Sequence, residues 1–503
     1  MIFSLRERMI SVFDLIIDGG FIITMDPKNT VIKNGSIGII GDKIVKVGES
    51  QEFEGIDAKR KIDAFDNIIM PGLIDAHGHA GHGLTKGFGT CLQLGDWQRL
   101  MEYIYFENTT DLFWYAEGLL SGAERIKFGT TCGYSMLGAA PRCDEPIYAE
   151  QHMEAMREMG IRNIIGIGPC RTTWPRRFVR WRNNSTEDIL LTLEEAIKTT
   201  KYVLEKWHEK SDLSFVHVSP SGIDRTMGAS IEEVQSLFKK LKRLSKEYNT
   251  KINAHAYAGH IKFAHEFLKD ILGPDTVLAH VTGVDSEEIS ILADTGTHVT
   301  SSPSSRAFIE QRCPVPELIE AGVNVVLSTD GNAPDCTFDL FKELKVAMIE
   351  HRSHFSNISY LPPGKVLKMV TIDAAKALGL DSIIGSLVPG KKADIILIDL
   401  NSPHLAPKML EPIRAVYGVT GHDVNTVIID GKIVMENRVL LTVNEDKIIS
   451  LAEKEAEMMI ERANLAKIPF EYEDESFWEG SKYNIVELDK HINISTPKSK
   501  IFK

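Results

Sequence analysis

The sequence predicts an α/β protein: a (β/α)8 barrel with a small composite β-sandwich built from both ends of the chain. Three observations predict it. Eight strand-like runs alternate with amphipathic helical stretches through the middle of the chain. β-branched runs broken by Gly and Asp occur near both ends. Histidines and an aspartate recur at the ends of four of the eight central runs. Strand–helix alternation implies a parallel sheet, and eight repeats suffice to close it. A doubly wound open sheet is the structural alternative, but no GxGxxG follows the first strand.

Taken in order, residues from about 13 to 70 are β-rich. DLIIDGGFIITM, GSIGIIGDKIVKVG and KRKIDAFDNIIM are separated by Gly-Gly, Asp-Pro and Gly-Asp turn signals. The barrel strands follow as IIMPGLIDAHGH, GTTCGYSM, RNIIGIGPC, LSFVHVSP, KINAHAYA, TVLAHVTG, THVTSSP and VNVVLSTDG. Helical stretches such as EEAIKTTKYVLEKWHEK and IEEVQSLFKKLKRLSKEY separate them. The β texture returns in GSLVPGKKADIILIDL and VNTVIIDGKIVMENRVL. IIDGG near residue 16 resembles IIDGK near residue 428, as expected if both ends share one sandwich. The expected division is 1–70 and 384–445 for the sandwich, 71–383 for the barrel and 446–503 for a C-terminal helix and tail. The helix SLAEKEAEMMIERANLA should pack on the barrel, and the last 15 or so residues should be partly disordered.

The formal net charge of −13 argues against nonspecific binding to nucleic acid or to an anionic membrane. Cysteines at 91, 132, 143, 170, 313 and 336 form no CxxC pair. Reduced thiols in a reducing compartment are therefore expected. MIFSLRERMISVFDLII is a poor signal peptide. No uncharged stretch reaches the roughly 18 apolar residues of a spanning helix. The expected location is the cytoplasm.

His77 and His79 end the first barrel strand in PGLIDAHGHAGH. Residues i and i+2 of a strand share a face, which at the C-terminal mouth of a barrel opens on the usual active site. His255 ends strand five, His280 strand six and Asp330 strand eight. A single buried histidine is ordinarily structural. Four strand ends offering imidazole and carboxylate to one mouth suit zinc or ferrous iron.

PGLIDAHGH, VLAHVTGVDSEEISILADTGTHV, PVPELIEAGVNVVLSTDG and GSLVPGKKADIILID…VIIDGKIV together resemble the amidohydrolase superfamily over about residues 13–445. The resemblance is to the mononuclear-metal branch of triazine hydrolases and methylthioadenosine–adenosylhomocysteine deaminase-like enzymes. It implies that His77, His79, His255 and Asp330 hold one divalent ion per chain, zinc or alternatively iron. It also implies that His280 faces the attacking water and substrate, and acts with Asp330 in catalysis. Two-metal members carry a modified Lys on strand four, where this chain has His217 in LSFVHVSP.

Two departures stand out. Deaminating relatives carry a Glu three residues after the strand-five histidine, and this chain has Ala258. Proton transfer then falls to Asp330 and His280, with Tyr257 or His260 as helpers; the alternative for His260 is a solvent-facing helix start. After strand seven, an HNPxSN-like string is replaced by Ser301-Ser302-Pro303-Ser304-Ser305-Arg306. Arg306 either clamps a substrate carboxylate or carbonyl or makes a structural salt bridge.

His82, Phe88 and Trp97 are candidate pocket walls, with core packing the alternative for the last two. Tyr257, Ser301 and Arg306 complete the candidate substrate contacts. The basic loop from Arg171 through Trp174 to Arg176 and Arg177 is either a substrate entrance or, preferably, a dimer contact.

The expected function is hydrolysis of a non-peptide C–N bond in a small heterocycle, of aminohydrolase or deaminase type. Hydrolysis of a C–halogen, urea, carbamate or amide bond is the alternative, and the intact His/Asp set weighs against a non-catalytic binding barrel. Expected partners are a small-molecule substrate and further copies of the chain in a homodimer or larger assembly.

Overall fold

The computed structural model describes residues 12–90, 92–170, 173–182, 185–224, 229–309, 311–331, 337–468, 475–482, 484–492 and 494. Eight parallel strands form the barrel: Leu73–Asp75, Thr130–Leu137, Arg162–Ile167, Ser214–Gly222, Ile252–Tyr257, Thr276–Thr282, His298–Ser301 and Val325–Leu327. Each pairs with the next in chain order. Six of the eight strands fall within their expected runs; Thr130–Leu137 and Ser214–Gly222 extend one and two residues beyond theirs. Among the described residues, the eighth meets the first through a single bridge, Gly78 to Asp330, in which the Asp330 N–H donates to the His77 carbonyl at 3.0 Å.

The outer helices start where local chemistry tells them to. Ser230 caps Ile231–Glu247 by accepting from the Glu233 N–H, and the Glu233 side chain returns to the Ser230 N–H. This reciprocal box satisfies two otherwise orphaned donors. Val234, Leu237, Phe238, Leu241 and Leu244 then bury one face at helical spacing. Thr192 and Glu195 open Leu193–Trp207 in the same way.

Nine strands form the second sheet. Its order is Val439–Leu440, Lys432–Glu436, Val424–Ile429, Ile395–Asp399, Asn67–Pro71, Phe13–Ile23, Val31–Ile40 and Lys43–Glu49, with Ala58–Asp63 also paired to Phe13–Ile23. The two ends of the chain meet where Ile395–Asp399 runs antiparallel to Asn67–Pro71. Hydrogen bonds join all nine strands into one sheet. It encloses Leu15, Ile17, Ile37, Ile39, Ile69, Ile395 and Ile428.

Two local expectations change. Gly19-Gly20 is not a turn but a break in register inside the 11-residue strand Phe13–Ile23. The strand pairs with Ala58–Asp63 before it and with Asn67–Pro71 after it. A Cβ on Gly20 would lie 2.4 Å from Ile69 Cδ1, so glycine lets the sheet fold closely on itself there. The run IIMPGLID also belongs to two elements. Asn67–Pro71 lies in the nine-stranded sheet and Leu73–Asp75 in the barrel, with Gly72 packed against the Thr131 side chain between them.

Arg176 and Arg177, the end of the basic loop after strand three, open a hairpin in which Arg176–Arg182 pairs with Ser185–Leu191. Arg176 pairs with Glu102 at 3.3 Å, and Arg177 pairs with Glu107 and Asp188. These cations are thus neutralised within the chain. Arg171 lies outside the described residues. Helix Glu445–Ala463 packs on the barrel helix Asp111–Lys127, with Lys127 Nζ 2.9 Å from Glu445 Oε2. Most of the last 15 residues lie outside the described residues, as do Cys91 and Cys336. Cys132, Cys143, Cys170 and Cys313 are buried and outside any disulfide. Among the described residues, no helix is long and apolar enough to cross a membrane.

Candidate metal centre and active site

His77, His79, His255, His280 and Asp330 converge at the C-terminal mouth of the barrel. Candidate ligand atoms of His77, His79 and His255 lie within 4.8 Å of one another, as do those of His77, His280 and Asp330. Asp330 Oδ1 is 3.4 Å from His77 Nε2 and 3.2 Å from His79 Nε2. The backbone fixes two of the rings. His79 Nδ1 is 2.7 Å from the Gly138 carbonyl, and His255 Nδ1 is 2.5 Å from the Ser221 carbonyl. A carbonyl only accepts, so both Nδ1 atoms carry the proton and both Nε2 lone pairs point inward.

The backbone is unusual at these points. Ser221, His280 and Asp330 have φ of +71°, +76° and +62°. Such conformations cost about 1–3 kcal/mol each in non-glycine residues and persist only where neighbours enforce them. Here they turn the Ser221 carbonyl onto His255 and place Asp330 across the seam from His77.

Burial holds the His255 and His280 imidazoles well below their ordinary pKa, and lowers that of His77 against the opposing pull of Asp330. Burial alone would raise Asp330. His280, His77, His79 and Arg306 together outweigh it and hold the carboxyl well below its ordinary range. Neutral imidazoles beside an ionised carboxylate are the protonation states that bind a cation. His77 Nε2 is buried without a hydrogen bond. Three imidazoles and one carboxylate of this kind fit a single divalent ion.

The surrounding pocket includes Leu94, Trp97, Glu102, Asp224, Tyr257 and His260. Rings beside and beneath the pocket form a ladder, which begins at His82, itself buried behind His79 and not among the lining residues. His82, His79, His255, His280 and Tyr257 follow one another at centroid distances of 4.7, 5.3, 5.1 and 5.8 Å, each within 24° of its neighbour's plane. Trp97 lies edge-on to His82.

Arg306 also lines the pocket, but its Nη2 turns onto Asp330 Oδ2 at 3.0 Å, beside Ser305 Oγ at 2.7 Å from the same oxygen. Of the two roles expected for Arg306, the geometry displays the salt bridge. His260 starts helix His260–Phe267 and is half-buried in the pocket wall rather than turned to solvent.

Not every candidate reaches the pocket. Phe88 packs on the hydrophobic core. Ser301 is buried, its carbonyl accepting from the Ser328 N–H. Both stand apart from the lining residues. Ala258 is exposed at the rim, and His217 is buried against Asn253 below the mouth.

Sequence reasoning missed Glu102, Gln98 and Asp224 in the wall, because nothing in a helix or loop marks which side chains turn inward. It also missed the Gly138 and Ser221 carbonyls, which leave no side-chain signal. The pairing of Asp75 with Thr329 was detectable in principle, since both immediately flank the ligand motifs.

A family model described as "Amidohydrolase family" matches residues 68–434. A 5'-deoxyadenosine deaminase of Methanosarcina acetivorans is 30% identical over 481 residues, covering 90% of this chain and 99% of that protein. A 5-methylthioadenosine/S-adenosylhomocysteine deaminase of Thermoanaerobacter pseudethanolicus is 31% identical over 467 residues, covering 89% and 100%. A solved adenosine deaminase from Xanthomonas campestris, with bound zinc, shares the fold at a TM-score of 0.77 and 21% identity, covering 89% of this chain and 98% of that one. These matches span the barrel and the composite sheet alike. The chain belongs to the amidohydrolase family and is a hydrolase of carbon–nitrogen bonds other than peptide bonds.

Proposed function

We propose that this chain uses zinc, held by His77, His79, His255 and Asp330, to release ammonia or an amine from a small, flat heterocycle of adenosine type. The convergence of these four side chains beneath an aromatic-walled pocket carries the reading. The deaminase relatives supply the substrate class. The ring ladder beside Trp97 suits a flat ring, which gains from offset stacking as well as area.

When bound, a divalent ion lowers the pKa of water from about 16 towards 7, supplying a nucleophile at neutral pH. The remaining work belongs to the chain. Asp330 accepts the proton of the attacking water. His280 Nε2, 3.8 Å from Asp330 Oδ2, hydrogen-bonds the nucleophile and the charge that develops. The same pair returns a proton to the leaving nitrogen. Tyr257 and His260 sit beside His280 in the wall and hold the substrate end of that route.

Ala258 favours a second reading, hydrolysis of a C–halogen, urea, carbamate or amide bond by the same centre; of these leaving groups, halide departs without needing a proton. The test is zinc analysis with an ammonia and amine assay over adenosine-type nucleosides, pterins, triazines and ureas. Rapid ammonia release from a nucleoside supports the first reading, and turnover confined to halogenated triazines, ureas, carbamates or amides supports the second. A folded protein holding far less than one metal per chain would overturn both. We further read the protein as a cytoplasmic homo-oligomer, which light scattering of the purified chain tests; its buried cysteines outside any disulfide are consistent with a reducing compartment.

A further inference from the structure

The barrel ladder runs unbroken from strand one to strand eight, but the closing seam has only the Gly78–Asp330 bridge among the described residues. The candidate ligands straddle this seam, His77 and His79 on one side and Asp330 on the other. A second link crosses it. Asp75, the last residue of strand one, accepts the Thr329 N–H on Oδ1 at 3.0 Å and the Thr329 hydroxyl on Oδ2 at 2.7 Å. Both residues are fully buried. Each is bound tightly in sequence to a ligand: Asp75 precedes His77 by two residues, and Thr329 directly precedes Asp330.

Arg125 completes the link. Its Nη2 lies 3.5 Å from Asp75 Oδ2 and donates to the Tyr134 carbonyl at 3.2 Å, while Nη1 donates to Ser135 Oγ at 2.8 Å. Its guanidinium also stacks on Phe338 at 4.4 Å. The guanidinium sits directly beneath the His-Gly-His turn, where a Cβ on Gly78 would lie 2.5 Å from Nη2. A buried carboxylate is tolerated only when paired and hydrogen-bonded, and Asp75 is both.

We propose that Asp75, neutralised by Arg125 and anchored on Thr329, is a positioning residue that sets the spacing of the metal ligands across the barrel seam. This rests on the metal-centre reading above. Residues that orient ligands without touching the ion are worth about 10–100-fold in metal affinity.

The test is competition titration of zinc against a chelator, with thermal melting of the metal-free protein alongside. Variants are Asp75→Asn, Asp75→Ala, Thr329→Val and Thr329→Ser. Asp394→Asn serves as control, because it breaks a comparable buried ion pair with Arg162 at the far end of the barrel. Expected is at least a tenfold loss of zinc affinity in both Asp75 variants and a smaller loss in Thr329→Val. Thr329→Ser, which keeps the hydroxyl, should restore affinity to within about twofold. Asp394→Asn should lower melting without weakening zinc binding.

Unchanged affinity in the Asp75 variants, or an equal loss in Asp394→Asn, would overturn the positioning role alone. Should Asp75 variants not fold, equal affinity of Thr329→Val and Thr329→Ser would overturn it. Absence of zinc binding by the unaltered chain would overturn the metal reading and this proposal with it.

Discussion

His79 and His255 stack nearly parallel, 6° apart, and bring their Nε2 atoms to 3.4 Å. Since each Nδ1 carries a proton held by a carbonyl, two lone pairs face each other across that gap. Two lone pairs so placed repel each other, whereas a cation between them would draw both. Stripping metal with a chelator should therefore lower the melting temperature by several degrees, and zinc should restore it. The stabilisation reaches about 4 kcal/mol when free metal exceeds its Kd a thousandfold. Scanning calorimetry with and without chelator checks this, and identical melting curves would count against a metal centre.

Ligand and non-ligand histidines should separate cleanly. His255→Ala should lose both metal and activity, the latter by about a thousandfold or more, since the ion contributes several kcal/mol to the transition state. His280→Ala should keep its metal and lose about 10²–10⁴-fold in kcat, the usual worth of a positioned acid–base group. Elemental analysis beside steady-state kinetics distinguishes them. Loss of metal from His280→Ala would reassign it as a ligand.

Ala258 is exposed at the rim beyond His255 and Tyr257. If its methyl marks a missing proton carrier, Ala258→Glu should raise ammonia release from adenosine-type nucleosides by about 10–100-fold. Turnover of substrates with good leaving groups should change little. An equal change for both classes would show that the carboxylate acts on binding rather than on proton delivery.

Glu350 and His351 make opposite contributions to stability against pH. Burial lowers His351 from 6.5 to about 4, with Arg312 beside it acting in the same sense. The unfolded chain takes up that proton first, so stability falls as pH drops from 6.5 towards 4. Burial raises Glu350 from 4.5 to about 7. The folded chain takes up that proton first, so stability falls as pH rises from 4.5 towards 7. Each effect is worth at most about 2 kcal/mol after solvent screening. Glu350→Gln should steepen the loss of stability on acidification, and His351→Gln should reverse it. Urea melts at pH 5 and 7 measure both slopes, and slopes of the same sign in the two variants would refute the assignment.

Much of this architecture was legible because periodicity and strand ends carry direct signals. All eight barrel strands overlap runs picked out from the sequence, two of them extending a residue or two beyond, and the ligands follow from the strand ends. What stayed hidden depended on which neighbour a group would meet. Gly19-Gly20 reads as a turn until Ile69 is seen packed against it. Arg176 and Arg177 read only as an unpaired basic run until Glu102, Glu107 and Asp188 are seen to pair with them. Ser301 ends strand seven, which suggests a place at the mouth, yet it is buried away from the pocket lining. Arg306 was recognised as out of place, yet its partner Asp330 is 24 residues away.

The pairing of Asn67–Pro71 with Ile395–Asp399 has a consequence for synthesis on the ribosome. The early strand must wait, one edge open, while more than 320 further residues are translated. Contacts so distant in sequence form late. Unpaired hydrophobic edges invite association in the meantime. Newly made chains should therefore depend on chaperones until the last strands emerge, and truncation before residue 395 should yield aggregates rather than a smaller soluble barrel.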